Sequence, residues 1–206
     1  MDPAEEVDEG LFEGDDPLGL FDRWLRAAEA SEPNDPNGMA VATVDDRGLP
    51  DVRMVLLKDW DARGFVFYTN VQSDKGRQLE ADPKAALLFH WKSLRRQVRI
   101  RGTVEAVTEA ESDAYYASRP RGSQVGAWAS DQSRPLPSRA ELEARVQAVD
   151  DEYGGETPPR PPFWRGYRVQ PLSFEFWRDR RSRLHDRMVF RREGLSASWT
   201  TLRLYP

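Results

Sequence analysis

From residue 17 onward the chain alternates between two hydrophobic periods, and the switches between them mark out the predicted elements. Leu18, Phe21, Trp24, Leu25 and Ala28 recur at helical spacing. Asp15 and Asp16 stand ahead of them as caps, with Pro17 in the first turn. After the turn-forming stretch SEPNDPNG at 31–38 the period drops to two. Residues 39–44, 52–58 and 65–69 read as strands, separated by hairpin-type turns at Asp46-Arg47-Gly48 and Asp61-Ala62-Arg63-Gly64. A short helix is predicted over 74–81, then strands over 85–91 and 97–107. Thr108-Glu109-Ala110-Glu111 and Ser138-Arg139-Ala140-Glu141 are capping boxes that open helices running to about Ser118 and Val149. A Pro-rich loop at 158–162 leads into strands at 166–170, 173–178, 187–192 and 197–204.

That reading gives about nine strands and four helices. The links between the first five strands are too short for βαβ crossovers, so those strands are antiparallel. The predicted class is α+β, mainly β: a closed or split antiparallel β-barrel with peripheral helices. Residues 17–206 read as one domain and 1–16 as a solvated, flexible acidic tail.

Composition then narrows the chemistry. No cysteine is present, which excludes disulfides, iron–sulfur clusters, thiolate nucleophiles and zinc–thiolate sites. The only histidines are His90 and His185, too few for a multi-histidine metal site. No resident metal is expected. There is no G-x-G-x-x-G, Walker A, G-x-S-x-G or H-E-x-x-H motif. The start lacks a basic segment followed by an apolar one, and no apolar run is long enough to span a bilayer, so a cytoplasmic protein without membrane contact is expected. The net charge of −5 is concentrated at the start. Residues 1–16 hold eight of the 35 acids and no base, which leaves 27 acids against 30 bases beyond them. Those bases are nearly all arginine, the side chain that grips phosphate bidentately.

Candidate chemistry sits where polar residues interrupt the strands. Arg53 and Lys58 bracket an apolar strand segment, and Tyr68-Thr69-Asn70 ends the next strand. Ser73-Asp74-Lys75-Gly76 opens a helix whose N–H groups, with Lys75, suit a phosphate. Across 95–101, Arg95, Gln97, Arg99 and Arg101 share one strand face, and Arg96, Val98 and Ile100 the other. Tyr115 and Arg119 project from one helical face and Ser123 follows in a loop, a phenol, a guanidinium and a hydroxyl suited together to a phosphate. Taken as extended, Arg183, His185 and Arg187 share a face, and a histidine between two arginines belongs at a ligand-facing surface. Each piece also has an ordinary explanation, as a strand end, a solvated face or a helix terminus.

Together these strings resemble the pyridoxamine 5′-phosphate oxidase family. Arg53–Lys58, Tyr68-Thr69-Asn70, Ser73-x-Lys75-Gly76, Arg96-Gln97-Val98, Ser118-Arg119-Pro120, Ser123-Gln124-x-Gly126-Ala127-Trp128, Gln132-Ser133, Glu175-Phe176-Trp177 and Arg183–Arg187 occur in family order over nearly the whole chain. The resemblance implies a split-barrel homodimer with FMN across the subunit interface. It implies that Arg53, Lys75, Gln97, Gln132, Ser133, Trp177 and Arg187 hold FMN, with Tyr68, Thr69 and the segment Met54, Val55, Leu56, Leu57 and Lys58. Lys58, Tyr115, Arg119 and Ser123 would bind the substrate phosphate. Arg183 and His185 would flank the pyridine ring, and Asp35 matches a further active-site aspartate. The implied reaction oxidises pyridoxamine or pyridoxine 5′-phosphate with dioxygen, and no nucleic acid is involved. Rival readings are a related flavin oxidase acting on another substrate such as a phenazine precursor, a split-barrel protein using deazaflavin or haem, a silent FMN or pyridoxal phosphate binder, and an Arg-rich nucleic-acid binder. Three positions depart from the family. No Arg or Tyr precedes Arg23, where many members carry an Arg-x-x-Tyr lid; Asp74 replaces a cation; and Arg178-Asp179 replaces Gln-Gly. An absent lid or a different chain start is therefore expected.

Overall fold

The computed structural model describes residues 10–206. Most of the expected acidic tail lies outside these residues. Of its last part, Leu11 and Phe12 pack against the core, and the Leu11 carbonyl accepts a hydrogen bond from Trp24 Nε1 at 3.1 Å.

Helix α1 (Pro17–Ser31) starts where expected, with the Asp16 carboxylate accepting from the N–H groups of Leu18 and Gly19. Strands β1 (Gly38–Val44), β2 (Pro50–Leu56), β3 (Asp59–Asp61) and β4 (Gly64–Asn70) follow, then α2 (Asp74–Ala81), β5 (Lys84–Trp91) and β6 (Arg96–Ala106). Three helices come next, α3 (Glu109–Ser118), α4 (Arg121–Ala129) and α5 (Arg139–Glu152). Strands β7 (Trp164–Arg178), β8 (Asp186–Arg191) and β9 (Thr200–Arg203) complete one sheet. The strand order is β2-β1-β5-β6-β7-β4-β3, with β8 against β7 and β9 against β8. Every pairing is antiparallel, as the short connections require.

The sheet's inner face meets α1. Phe21 packs edge-on against Phe65 and Phe89, with ring centroids 4.8 and 5.1 Å away, and Trp24 meets Phe176 at 5.2 Å. Each such pair contributes about 0.5–1.5 kcal/mol beyond its buried area. The period-two reading of β6 holds: Val98 and Ile100 are fully buried, while Arg99 and Arg101 are exposed on the opposite face.

Four expectations need correction. The strands at 166–170 and 173–178 are one strand, β7, carried past Pro171 by a register shift opposite Arg101 and Gly102. Arg53 lies within β2 rather than at its end. Ser123 belongs to a fifth helix, α4, not to a loop. The Arg183–Arg187 segment is not uniformly extended: Arg181–Arg183 form a 3-10 turn in which Ser182 and Arg183 have φ of 56° and 60°, and extension begins at Asp186. Among the described residues no helix is long and apolar enough to cross a membrane.

Candidate active site

Two adjoining cavities lie where β2, β4, α3 and α4 meet. The first, of about 380 Å³, is lined by Leu56, Lys58, Tyr68, Tyr115, Ser118, Arg119, Pro120, Ser123 and Trp164. The second, of about 460 Å³, shares Tyr68, Arg119, Ser123 and Trp164 with it and adds Met54, Val55, Thr69, Lys75, Gly126 and Gln132.

Local structure explains how these side chains arrive. The α3 capping box, with Thr108 and Glu111 bonded reciprocally, sets the helix that carries Tyr115 and ends at Arg119. Buried Arg168 on β7, 1% exposed, contacts Glu111 at 2.8 Å and Asp61 at 3.2 Å, fixing that helix start to the sheet. Helix α4 has no side-chain cap. It is held to α3 instead, because Gln124 Nε2 donates to the Tyr116 carbonyl at 2.9 Å while the Tyr116 hydroxyl donates to the Gln124 carbonyl at 3.0 Å. That tie presents Ser123 and Gly126 to the cavities.

The wall between the cavities is aromatic. Tyr68, Tyr115 and Trp164 cluster with near-parallel rings, Tyr68 lying 4.1 Å from Tyr115 and 5.1 Å from Trp164, and those two 6.0 Å apart. Lys58 stands over the Tyr115 ring at 5.9 Å and Arg119 over the Trp164 ring at 4.9 Å. Burial, and then the Glu111 and Asp59 charges, push the Tyr68 phenol up to about 12, so it stays protonated.

Both cavities present cations suited to an anion. Arg119 Nη1 is buried and has no hydrogen-bond partner among the described residues. Burial lowers the pKa of this guanidinium, yet arginine stays charged, so the site holds an under-satisfied cation. Lys75 is 8% exposed and among the described residues hydrogen-bonds to neutral oxygens alone: Thr69 Oγ1 at 3.3 Å, Ser73 Oγ at 3.4 Å and Gln132 Oε1 at 3.4 Å. Burial, then Arg53, hold its ammonium below the usual lysine range. Arg53 itself reaches along β1 to Thr43 Oγ1 at 2.6 Å and pairs with Asp51. Asp74 is turned onto Arg77 and half-exposed, and it does not line the Lys75 cavity.

The remaining expected residues lie elsewhere. Leu57 lines neither cavity: its side chain is in the core and its N–H and carbonyl are bonded to Asn37. Ser133, with φ of 68°, lines a neighbouring hollow with Gln132. Asp35 lines a third cavity of about 330 Å³ with His90, which shares Met54 and Val55 with the second cavity and Leu56 with the first. Gln97, Trp177 and Arg187 form one row across β6, β7 and β8 as direct cross-strand partners. His185 sits beside this row, its ring 4.6 Å from Trp177, and Arg183 is exposed in the preceding turn. This second group lines neither of the first two cavities. Tyr68 pairs with Gly166, and Trp177 lies eleven residues further along β7, about 36 Å of strand at ~3.3 Å per residue. Trp164, which lines both main cavities, is a site residue that sequence reasoning missed, since a single tryptophan after a Pro-rich loop carries no local pattern.

Comparison with known proteins shows the family. The family profile described as pyridoxamine 5′-phosphate oxidase matches residues 25–153. A second, described as the pyridoxine 5′-phosphate oxidase C-terminal dimerisation region, matches 164–206. A pyridoxine/pyridoxamine 5′-phosphate oxidase of Caulobacter vibrioides is 65% identical over 95% of this chain and 87% of its own length. That of Azorhizobium caulinodans is 60% identical over 100% of this chain and 98% of its own. Among solved structures, PhzG from Burkholderia lata, in complex with tetrahydrophenazine-1-carboxylic acid, matches with a TM-score of 0.90 and 30% identity over 99% of this chain and 100% of that one. The two matched regions between them take in the cation-lined cavities and the Gln97–Trp177–Arg187 row, and the chain belongs to the pyridoxamine 5′-phosphate oxidase family.

Proposed function

We propose that the protein oxidises pyridoxamine 5′-phosphate and pyridoxine 5′-phosphate to pyridoxal 5′-phosphate, using FMN and dioxygen and releasing hydrogen peroxide. The observation that carries this reading is the cavity in which Arg119 keeps a buried unpaired donor beside Lys58, Tyr115 and Ser123. A phosphate dianion supplies what that guanidinium lacks. In the adjoining cavity Lys75, with Thr69, Gln132 and nearby Arg53, suits a second phosphate, that of FMN. Bound FMN supplies the two-electron acceptance that no side chain of this composition offers, and dioxygen reoxidises it. The chain's own residues bind and orient. The phosphate cluster anchors the substrate by its phosphate arm, Tyr68 and Trp164 wall the cavity, and Arg183 and His185 position the ring.

The protein is a homodimer in this reading, with FMN held between subunits. The support is that the Gln97–Trp177–Arg187 row lines neither cation-lined cavity, and that the region bearing Trp177 and Arg187 matches a dimerisation region. At a substrate concentration near the wild-type KM, Arg119→Ala and Arg183→Ala should each be nearly inactive. Co-expressed, they should regain about a quarter of wild-type activity, because half the dimers are mixed and each mixed dimer rebuilds one of its two sites. Activity no higher than that of the single variants would place each site within one chain.

A phenazine substrate is the alternative raised by the PhzG complex. Its ligand carries a carboxylate and no phosphate, leaving the four-residue phosphate cluster without purpose. Anaerobic titration of the FMN-loaded protein with pyridoxine 5′-phosphate should bleach the flavin stoichiometrically and form pyridoxal 5′-phosphate. A flavin that stays oxidised with this substrate but bleaches with a reduced phenazine carboxylate would reverse the assignment.

A further inference from the structure

His185 has a carboxylate partner that the substrate and cofactor sets do not include. Strand β7 ends at Arg178, and the next residue, Asp179, donates its N–H to the Arg95 carbonyl at 3.0 Å. The left-handed residues Ser182 and Arg183 then turn the chain back. The turn brings His185 Nδ1 to 2.9 Å from Asp179 Oδ1. Asp179 Oδ2 pairs with the Arg95 guanidinium, so each oxygen of the carboxylate has its own partner. The Arg180 guanidinium is engaged with Asp186 at 2.6 Å. Both side chains of the His–Asp pair are largely buried, 16% and 20% exposed, and the His185 ring leans on Trp177.

The Arg180 N–H also points at Nδ1, at 3.1 Å. One nitrogen cannot accept that bond and donate to the carboxylate in the same protonation state. The carboxylate contact is the shorter and the charged one. An unprotonated Nδ1 would set its lone pair against a carboxylate oxygen in a site that water screens poorly.

We propose that Asp179 is the positioning residue of His185: it accepts the Nδ1–H bond, fixes that tautomer and ring orientation, and leaves Nε2 as the nitrogen available to the substrate. A neutral ring so held offers the substrate a hydrogen-bond acceptor rather than a donor. Its catalytic consequence rests on the oxidase reading above; the hydrogen bond itself does not. Asp179 stands where the family resemblance leads one to expect glycine, which has no side chain to accept such a bond.

The test is the two-dimensional ¹⁵N–¹H spectrum of the imidazoles in the uniformly labelled, FMN-loaded protein, recorded over a pH series that reaches the neutral ring. With only two histidines in the chain, the spectrum of His90→Gln assigns His185. The expected wild-type pattern is Nδ1–H. In Asp179→Ala the Arg180 N–H should claim Nδ1 and the ring should turn to the Nε2–H form, while Asp179→Asn, which keeps an acceptor oxygen, should retain Nδ1–H. In turnover, Asp179→Ala should lower kcat about tenfold with KM changed less than about twofold, and Asn should recover most of the loss, as for other residues that orient a functional histidine. A wild-type Nε2–H pattern overturns the proposal, even if the alanine variant does not fold. So does an alanine variant with an unaltered pattern. Absence of turnover with pyridoxine 5′-phosphate in every form, with the expected tautomers present, would count against the oxidase reading and not against the hydrogen bond.

Discussion

Arg119→Ala should raise the KM for pyridoxine 5′-phosphate by about 100- to 1,000-fold, corresponding to the roughly 2–5 kcal/mol lost when one partner of a buried charged hydrogen bond is truncated. The magnitude follows from the environment rather than from charge alone. Arg119 is held against the Trp164 face, with its Nη1 buried and unpaired, so its donors are oriented before the ligand arrives. Little ordering entropy remains to be lost on binding. The phosphate arm takes no part in the bond changes at the neighbouring C4′ carbon, so kcat should fall less, by about tenfold, through looser placement over the flavin. Arg119→Lys should recover only a small part, because a point charge neither forks onto two phosphate oxygens nor stacks on Trp164. Ser123→Ala, losing one hydrogen bond from a hydroxyl to the charged phosphate, worth about 1.5–2 kcal/mol, should raise KM only about 10- to 30-fold. Steady-state kinetics on FMN-saturated protein separate these cases. An Arg119→Ala enzyme with unchanged KM would show that the phosphate binds elsewhere.

The strands and helices whose stability is local were legible from periodicity and caps. Helix α1, the hairpins and the face alternation of β6 all follow from residues within a turn or two of one another. What periodicity missed is held by distant partners. Helix α4, RGSQVGAWA, contains two glycines and follows a proline without a capping side chain, so its local signal is weak. Its bonds to α3 through Gln124 and Tyr116, and from Trp128 Nε1 to the Pro159 carbonyl at 2.7 Å, stabilise it instead. The Arg183–Arg187 alternation failed because Ser182 and Arg183 adopt positive φ, which no period announces. For the site, spacing alone related Tyr115 to Arg119 and nothing else. Bringing Lys58, some 57 residues from Tyr115, and Ser123 beside them depends on how β2 and α4 pack. Family order could be read in the chain, but the separation of its residues into a cavity group and a strand-row group could not, because that depends on the 15-residue span of β7.

That continuous strand rests on Gly102, and Gly102→Ala should destabilise the protein by about 3 kcal/mol or more, lowering Tm by roughly 10 °C. A Cβ at this position would stand 1.9 Å from the Gln170 carbonyl oxygen and 3.0 Å from Pro171 Cα. Both neighbours are backbone, so no side-chain rotation relieves the overlap. The register between β6 and β7 shifts at this point, between Arg101 and Gly102, and Pro171 on the opposing strand has no N–H to give to the ladder. A bare glycine lets β6 approach closely enough to continue pairing on both sides of the proline, from Arg96 opposite Arg178 to Ala106 opposite Tyr167. Forcing the strands apart there disturbs Phe174 and Phe176, both fully buried, and the Trp177 row beyond them. Gly122→Ala makes the same chemical change in α4 with nothing within 4 Å of the new methyl. It should stabilise by about 0.5 kcal/mol through helix propensity. Thermal melts of the two variants should therefore move in opposite directions. A Gly102→Ala protein that melts with the wild type would mean that β6 and β7 can pair past Pro171 without the close approach.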